Sequence, residues 1–222
     1  MDIVLLAVPD AMIEEVAAAL SRSGAITAGH VVLHLSGVLG ADALKPLAGS
    51  GAALGSLHPL LSFGDPGSVP LRLQAAAAAV EGDERARVAA IALARRIGLA
   101  PFELDAAAKP IYHAGAVFAA NFLVTIAATA RRLFERAGVP PDLAARGLAT
   151  LMGGVLENVI KKGAPRALTG PVKRGDAETV RTHLQALDPA DAALYRSLSK
   201  ATLEIAELTA EQRRAVERAL EG

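Results

Sequence analysis

The amino-acid sequence predicts an α/β domain with a mostly parallel sheet over residues 1–104 and an all-helical domain over residues 105–222. Up to Asp105, short apolar segments typical of strands alternate with helical segments, which is the pattern of a parallel sheet with helices on its faces. After Asp105 only helical patterns follow. Alanine supplies much of the 52% hydrophobic content and only 3% of residues are aromatic, which favours closely packed helices.

The strands of the predicted sheet are short runs of apolar residues. The first, at residues 2–8, holds an unbroken apolar run, which suits a strand buried on both faces. The segment at 73–81 is rich in alanine, but it is short and precedes Gly82-Asp83, so we interpret it as a strand followed by a turn. The other strands are predicted at residues 31–35, 52–57 and 100–104.

Helices are predicted between these strands, and residues suited to be N-caps mark where two of them begin. Asp10 is placed as the N-cap of a helix over residues 11–21, and Asp83 as the N-cap of a helix that runs to Ile97. A short helix and a loop rich in Gly, Pro and Ser complete this half, near residues 41–48 and at residues 60–70.

The second half begins with one long predicted helix at residues 107–136, whose true start is expected near Pro110. Residues 164–175 contain several prolines and glycines and are predicted to form a loop. Three further helices are predicted to begin at the N-caps Asp142, Asp176 and Thr209, and they cover residues 142–162, 177–187 and 210–221. A fourth helix is predicted at residues 189–208.

Composition excludes several classes of function. Basic and acidic residues balance at 23 each, whereas a nucleic-acid-binding protein usually has a basic excess. The chain has no cysteine, and its Asp and Glu residues show no metal-ligand spacing, so no metal site is predicted. The most apolar stretch, residues 114–130, is interrupted by Asn and Thr, so we predict no membrane span and a cytoplasmic protein.

Polar residues follow three of the predicted strands. The first strand ends in Val8-Pro9-Asp10, the second in His34-Leu35-Ser36-Gly37, and the third runs into His58-Pro59. Ordinary turn chemistry explains any one of these strand ends. Because ligands of open parallel sheets bind at the carboxyl ends of strands, the three together favour a ligand cleft.

The long helix carries a second candidate group. His113 and Asn121 are eight residues apart and therefore lie on one helical face, and small residues surround His113. A histidine can donate a proton near neutral pH, and an amide can orient an oxygen atom. The alternative is a core histidine and a core asparagine that bond to neighbouring helices, and the two interpretations are evenly balanced.

A third candidate is the segment 167–176, ALTGPVKRGD. Arg174 could clamp a substrate carboxylate, and Thr169 lies in the same segment. Arg174 could equally pair with Asp176 or with a partner subunit. A helix connection explains Gly175 and Asp176, but it does not explain why Thr169 and Arg174 lie there together.

Several of these stretches resemble a family of Rossmann-like oxidoreductases whose C-terminal half is a helical domain of unknown function. More distantly they resemble ketopantoate reductases, pyrroline-5-carboxylate reductases and 6-phosphogluconate dehydrogenase-like enzymes. The matching stretches cover nearly the whole chain in the family's order: DIVLLAVPD, HLSG (34–37), GSLHPLLSF (55–63), VEGD (80–83), YHAGAVFAANF (112–122), LTGPVKRGD (168–176) and TVRTHL (179–184).

One family element is absent from the sequence. Members of the family normally begin with a strand, a Gly-x-Gly-x-x-Gly loop and a helix, whereas this chain has no such loop and begins at the family's fourth-strand region. The resemblance therefore implies an N-terminally truncated form whose sheet is partial. Since the Gly-rich loop holds the pyrophosphate, we expect weak or no binding of NADP or NAD by this chain, and residues 3–8 should form an exposed apolar sheet edge.

The resemblance also implies a function. It implies NAD(P)-dependent reduction of a small carbonyl or imine substrate, with ketopantoate as the first guess, and a homodimer formed through the helical domain. His113 would donate the proton or polarise the carbonyl group, and Asn121 would orient the substrate. The cofactor's nicotinamide end would lie near Val8, Pro9, Asp10, Ser36, Gly37 and His58, and the substrate carboxylate near Thr169 and Arg174. The alternative is a non-catalytic dimeric binding or scaffold module derived from such an enzyme.

Overall fold

The computed structural model describes residues 2–62, 73–74 and 76–222. Most of the loop predicted at residues 60–70 lies outside this part of the chain. Contacts between Cα atoms divide the chain into two compact units, Met1–Val124 and Thr125–Gly222. The domain boundary near Asp105 remains a prediction, because a helix runs continuously from Ala106 to Arg136.

The first unit is built on a sheet of five strands in the order β1-β2-β3-β4-β5. The α/β fold class predicted from the sequence is confirmed. Three of the four strand pairs are parallel, and only β3 and β4 pair in an antiparallel manner. The strands are β1 (Asp2–Leu6), β2 (His30–His34), β3 (Ala53–Pro59), β4 (Ala77–Gly82) and β5 (Ala100–Glu103).

Helices cover both faces of this sheet, as the alternation in the first half of the sequence predicts. In β2, Val31 and Leu33 face helix α2, which spans Glu84–Arg96, and the intervening Val32 packs with helix α1, which spans Ile13–Ser23. All three valine and leucine side chains are fully buried. This burial on both faces explains the apolar run Val31-Val32-Leu33 in β2.

Strand β1 lies at one end of the described sheet and pairs with β2. Its Ile3 and Leu5 side chains are 37% and 46% exposed. The exposed apolar edge expected at this strand is therefore observed. The strand ends at Leu6, two residues earlier than predicted.

Asp10 does not act as the N-cap that its position suggested. A 3₁₀ turn spans Asp10–Met12 ahead of α1, and neither Pro9 nor Met12 caps with a side chain. The Asp10 carboxylate instead accepts a hydrogen bond from the Ser36 hydroxyl (2.8 Å). Asp83 behaves as predicted, because its side chain accepts the Ala86 N–H at the start of α2.

The long helix is observed, and a π-helical segment interrupts it. Helix α3 (Lys109–Val117) follows a 3₁₀ turn, the π segment spans Phe118–Phe122, and α4 (Leu123–Arg136) completes the helix. Pro110 lies in the first turn of α3, as expected. A π segment changes the phase of the helix, so the spacing of His113 and Asn121 does not by itself place them on one face.

The second unit is helical, and two of its predicted features need correction. Residues 164–175 form two short helices rather than a loop, and Asp142 lies in a first turn without capping it. The Asp176 and Thr209 caps are confirmed, and the helix predicted at 189–208 ends at Leu203. The helices are α5 (Pro141–Lys162), α6 (Ala164–Ala167), α7 (Gly170–Arg174), α8 (Ala177–Ala186), α9 (Pro189–Leu203) and α10 (Ala210–Glu221).

Two helical stretches, Ala106–Arg136 and Pro141–Lys162, are long and apolar enough to cross a membrane by length and composition alone. Very little of either is buried within the chain. Exposed apolar faces of this kind also suit an interface with another protein. The absence of a membrane span remains a prediction.

Candidate active site

The candidate site lies where the carboxyl ends of β1, β2 and β3 meet the first turns of α3. Because β1, β2 and β3 are parallel, their carboxyl ends share one edge of the sheet. Ser36 follows β2 and bonds to Asp10, which follows β1. His58, near the end of β3, bonds to Tyr112 of α3. The structure thus brings the three predicted strand ends together.

Gly37 is the point at which two histidines converge. A Cβ atom built on Gly37 would lie 2.5 Å from His113 Nδ1 and 2.7 Å from His58 Nε2. The two imidazole rings meet edge to face with centroids 5.9 Å apart. Only a residue without a side chain leaves room for both rings at this point.

His113 Nδ1 is buried and has no hydrogen-bond partner among the described residues. A buried polar atom left unpaired costs about 1–3 kcal/mol. Such an atom is uncommon in folded proteins, and a ligand group that bonds to it is one explanation. This nitrogen is therefore the atom of the site with most reason to contact a bound molecule.

His58 is held in its neutral form. Its pKa is lowered from 6.5 to about 4, mainly by burial and in smaller part by the charges of Lys109 and His113, while the Asp10 carboxylate opposes this shift. His58 Nδ1 lies 3.0 Å from the Tyr112 hydroxyl, and burial raises the pKa of that phenol. Both groups are therefore uncharged near neutral pH. When the phenol donates to Nδ1, the His58 proton is on Nε2, which faces Gly37.

The pH dependence of stability should report the state of His58. A histidine whose pKa is lower in the folded state binds fewer protons when folded, so the free energy of unfolding falls as the pH falls from 6.5 towards 4. In His58→Gln this fall should be smaller by roughly 1–2 kcal/mol, after allowing for the partial exposure of the ring. The fall does not vanish, because burial also lowers the pKa of His34.

Urea unfolding of the two proteins between pH 4.5 and pH 7 measures this difference. Identical pH dependence in the wild type and in His58→Gln would contradict the neutral state that we assign to His58.

His34 shapes the turn that carries Ser36 and Gly37. The ring is fully buried; its Nε2 lies 3.0 Å from the Gly40 carbonyl oxygen, and its Nδ1 accepts the Ser36 N–H (3.2 Å). A neutral imidazole satisfies both contacts, donating through Nε2 and accepting through Nδ1. His34 therefore supports the site without lining its cavities.

Two cavities adjoin these residues. The larger, of about 500 Å³, is bordered by His58, Tyr112, His113 and Asn121 together with apolar side chains that include Leu60. The smaller, of about 350 Å³, is bordered by Val8, Asp10 and Leu35, and His58 borders it as well. His113 and Asn121, predicted to act together, thus border one cavity. A cavity of this size suits a small organic molecule.

The remaining predicted site residues are Pro9, Thr169 and Arg174. Pro9 is exposed, and its carbonyl oxygen accepts the Met12 N–H (2.8 Å). Thr169 and Arg174 belong to the unit Thr125–Gly222 and flank or lie in α7. Arg174 comes within 3.8 Å of Asp176, which is one of the alternatives left open for it. A role of Thr169 and Arg174 in substrate binding remains a prediction.

Three residues of this region were not anticipated from the sequence: Lys109, Tyr112 and Glu81. Lys109 is fully buried, and its Nζ donates to Ser36 O (3.1 Å) and to Ser56 Oγ (2.9 Å). The Ser56 hydroxyl lies 3.3 Å from Glu81 Oε2, which also accepts the Ala41 N–H (2.8 Å). One signal was available, since a lysine in the first turn of a helix opposes the helix dipole.

The residues at the strand ends fit one end of a dinucleotide. Val8 and Leu35 supply apolar walls to the smaller cavity, and Asp10 and His58 supply polar groups to it. These features suit a flat nicotinamide ring. The sequence contains no Gly-rich loop that could hold the pyrophosphate. We therefore assign only the nicotinamide end to the residues described.

Two protein-family models match the chain. Residues 1–59 match the Rossmann-like domain, and residues 76–202 match the domain of unknown function DUF2520. The sequence matches no curated protein.

Solved structures share the fold. Protein TM1727 from Thermotoga maritima is 30% identical, with a TM-score of 0.76 over 93% of this chain and 78% of that chain. The putative NADP oxidoreductase BF3122 from Bacteroides fragilis is 21% identical, with a TM-score of 0.76 over 91% of this chain and 75% of that one. Plasmodium falciparum pyrroline carboxylate reductase, with NADP bound, is 15% identical, with a TM-score of 0.57 over 99% and 75%. The fold is thus that of NAD(P)-dependent oxidoreductases, and the chain belongs to the DUF2520 family.

Proposed function

We propose that the protein is an NAD(P)-dependent oxidoreductase that reduces the carbonyl or imine carbon of a small substrate. The observation that carries this proposal is the buried Nδ1 of His113, which has no hydrogen-bond partner in the described part of the chain and faces Gly37 and His58 beside a cavity of about 500 Å³. That cavity adjoins the carboxyl ends of the parallel strands, where ligands of such sheets bind. Ketopantoate is the first substrate to test, by analogy alone.

His113 acts as the proton donor in this proposal. A reduced nicotinamide, when bound, supplies a hydride to the substrate carbon. The electron pair of the C=O or C=N bond then moves to the oxygen or nitrogen atom, which takes a proton from the His113 ring. Asn121, at the border of the same cavity, orients the substrate.

His58 and Tyr112 keep the site uncharged and in place. The phenol fixes the His58 ring through Nδ1, so the opposite edge of the ring stays against Gly37. A neutral donor at this edge can bond to an amide or carbonyl oxygen without adding a charge. Asp10 and Ser36, joined by their hydrogen bond, border the region assigned to the nicotinamide end.

The proposal includes a homodimer formed through the helical domain, in the cytoplasm. Its support is the exposed apolar surface of α5, whose large exposed side chains are Leu143, Leu151, Val155, Leu156, Val159 and Ile160. Light scattering during size-exclusion chromatography should give about twice the chain mass of 22.7 kDa.

The first test is a calorimetric titration of the 222-residue chain with NADPH, NADH and reduced nicotinamide mononucleotide. If only the nicotinamide end is held, the mononucleotide and NADPH should bind with similar affinity, weaker than about 0.1 mM. Adenosine 2′,5′-bisphosphate, which carries only the other end of NADP, should not compete.

The outcomes separate the alternatives. Tight NADPH binding with competition by the bisphosphate would show that the pyrophosphate and adenosine are held, and our assignment of the nicotinamide end alone would fail. Binding of none of the nucleotides would favour the non-catalytic dimeric scaffold. A His113→Ala variant that kept the turnover of a substrate found by screening would remove the role assigned to His113, since we expect a loss of about 10²–10⁴-fold.

A further inference from the structure

Lys109 is the most buried charged residue near the site, and the reaction proposed above does not use it. None of its surface is exposed, although it is the first residue of α3. Burying an ammonium group is unfavourable, and burial lowers the pKa of this one. The position is unfavourable on a second count, because the first turn of a helix repels cations. Lysine at this place therefore calls for a reason other than the stability of the helix.

Lys109 bonds to residues on both sides of the point where the His58 and His113 rings meet Gly37. Its Nζ donates to the carbonyl oxygen of Ser36, the residue before Gly37 (3.1 Å). It also donates to the hydroxyl of Ser56 (2.9 Å), which lies two residues before His58 on β3 and so on the same face of the strand. His113 follows Lys109 by four residues, so the two lie on one side of α3.

The charges around His58 come from four elements. Lys109, Tyr112 and His113 belong to α3, and Asp10 follows β1. Glu81 of β4 contacts Ser56, which Lys109 also contacts. His34 is the last residue of β2, and its ring bonds to the Ser36 N–H. Only Asp10 and Glu81 are negative. Asp10 favours a proton on His58, and Lys109 and His113 oppose it.

We propose that Lys109 is a positioning residue whose buried ammonium joins the ends of β2 and β3 to α3, holds His113 against Gly37, and places a positive charge beside the His58 ring. A neutral residue at this position could fill the same volume, but it could not repel a proton from the neighbouring ring. The charge of Lys109 thus explains why a lysine is buried here.

The proposal concerns the site of the proposed function but needs neither a cofactor nor a substrate for its test. Histidine labelled with ¹³C and ¹⁵N allows each ring to be titrated by NMR, and His58→Gln identifies the His58 signals. In the wild type, His58 should titrate near pH 4. In Lys109→Met its midpoint should rise by about one pH unit, because a like charge has been removed.

Two further variants make the result decisive. Lys45→Met removes an exposed lysine that pairs with Glu14 (3.1 Å), and it should leave the His58 midpoint unchanged. Lys109→Met combined with Glu81→Gln also removes the half-buried carboxylate that contacts the same Ser56 hydroxyl, so it should fold even where the single variant does not. The His58 midpoint should rise in the double variant as well, because Glu81 is not among the groups that shift it.

The proposal is overturned if the His58 midpoint stays near pH 4 in a folded Lys109 variant. Failure of the double variant to fold would also overturn the proposal, because Lys109 would then be needed to stabilise the fold rather than to position the histidine rings. Failure of nucleotide binding in the titrations above would leave this result unaffected, so the two proposals fail separately.

Discussion

Gly37→Ala should displace the rings of His58 and His113 and abolish measurable binding of reduced nicotinamide mononucleotide. The added methyl group would lie 2.5 Å from His113 Nδ1, 2.7 Å from His58 Nε2 and 2.9 Å from His58 Cε1. Contacts this short do not occur between real atoms, so at least one ring must move. His58 is held by Tyr112 and His113 by the helix that carries it, so neither ring can move freely. We expect a loss of about 1–3 kcal/mol in the free energy of unfolding.

Gly37 offers a clean test of this contact because it is not among the glycines with a positive φ. The substitution therefore adds atoms without straining the backbone. The matched control is Gly49→Ala, where φ is also not positive and a Cβ atom would meet nothing within 4 Å. Gly49→Ala should change stability by about 0.5 kcal/mol or less and leave the His58 and His113 NMR signals in place. Wild-type ring signals and wild-type binding in Gly37→Ala would refute the convergence of the two rings at this glycine.

The sheet could be predicted from the sequence because its signals are local. The apolar run of β2 reflects burial on both faces, and Asp83 caps α2 through a bond to a residue only three positions away. The similar run of β1 predicted the strand itself, but Ile3 and Leu5 are exposed, so the predicted burial of this strand on both faces was wrong. The region of the site could be predicted as well, because parallel strands end at one edge of a sheet whatever their neighbours are. The prediction of polar strand ends therefore identified Asp10, Ser36, Gly37 and His58.

The errors arise where a contact between distant residues decides the structure. Asp10 has the sequence signature of an N-cap, but its carboxylate instead accepts a hydrogen bond from the Ser36 hydroxyl, 26 residues away. Lys109 reaches Ser36 and Ser56, which are 73 and 53 residues away, so no local pattern indicates those bonds. The antiparallel pairing of β3 with β4 has no local signature either.

The segment 164–175 shows a different kind of error. Its prolines and glycines were interpreted as loop residues, but Pro165 and Pro171 each lie in the first turn of a short helix. Proline suits that position because its missing N–H has no helical partner there and its φ is already helical. Gly175 then ends α7 in a left-handed conformation with φ of 69°. The same residues thus mark helix ends rather than a loop.

Gly82→Ala should be more destabilising than any other substitution considered for this chain. Gly82 pairs with Gly55 across the antiparallel β3–β4 ladder, and its φ is 133°. An added Cβ atom would lie 2.4 Å from Gly55 Cα and 2.4 Å from Leu54 O, which are backbone atoms. No side-chain rotation relieves such a clash, so the two strands must separate. The expected loss in the free energy of unfolding is about 4 kcal/mol or more.

The matched control for the backbone conformation is Gly138→Ala. Gly138 also has a positive φ, of 87°, but a Cβ atom there would meet nothing within 4 Å. This substitution should cost only the left-handed conformation, about 1–2 kcal/mol, so urea unfolding of the two variants separates strain from close contact. Equal losses in both would mean that the β3–β4 contact contributes nothing. A larger loss in Gly82→Ala would show that the Gly55–Gly82 approach sets the spacing of the strands that carry Ser56, His58 and Glu81, and so of the site itself.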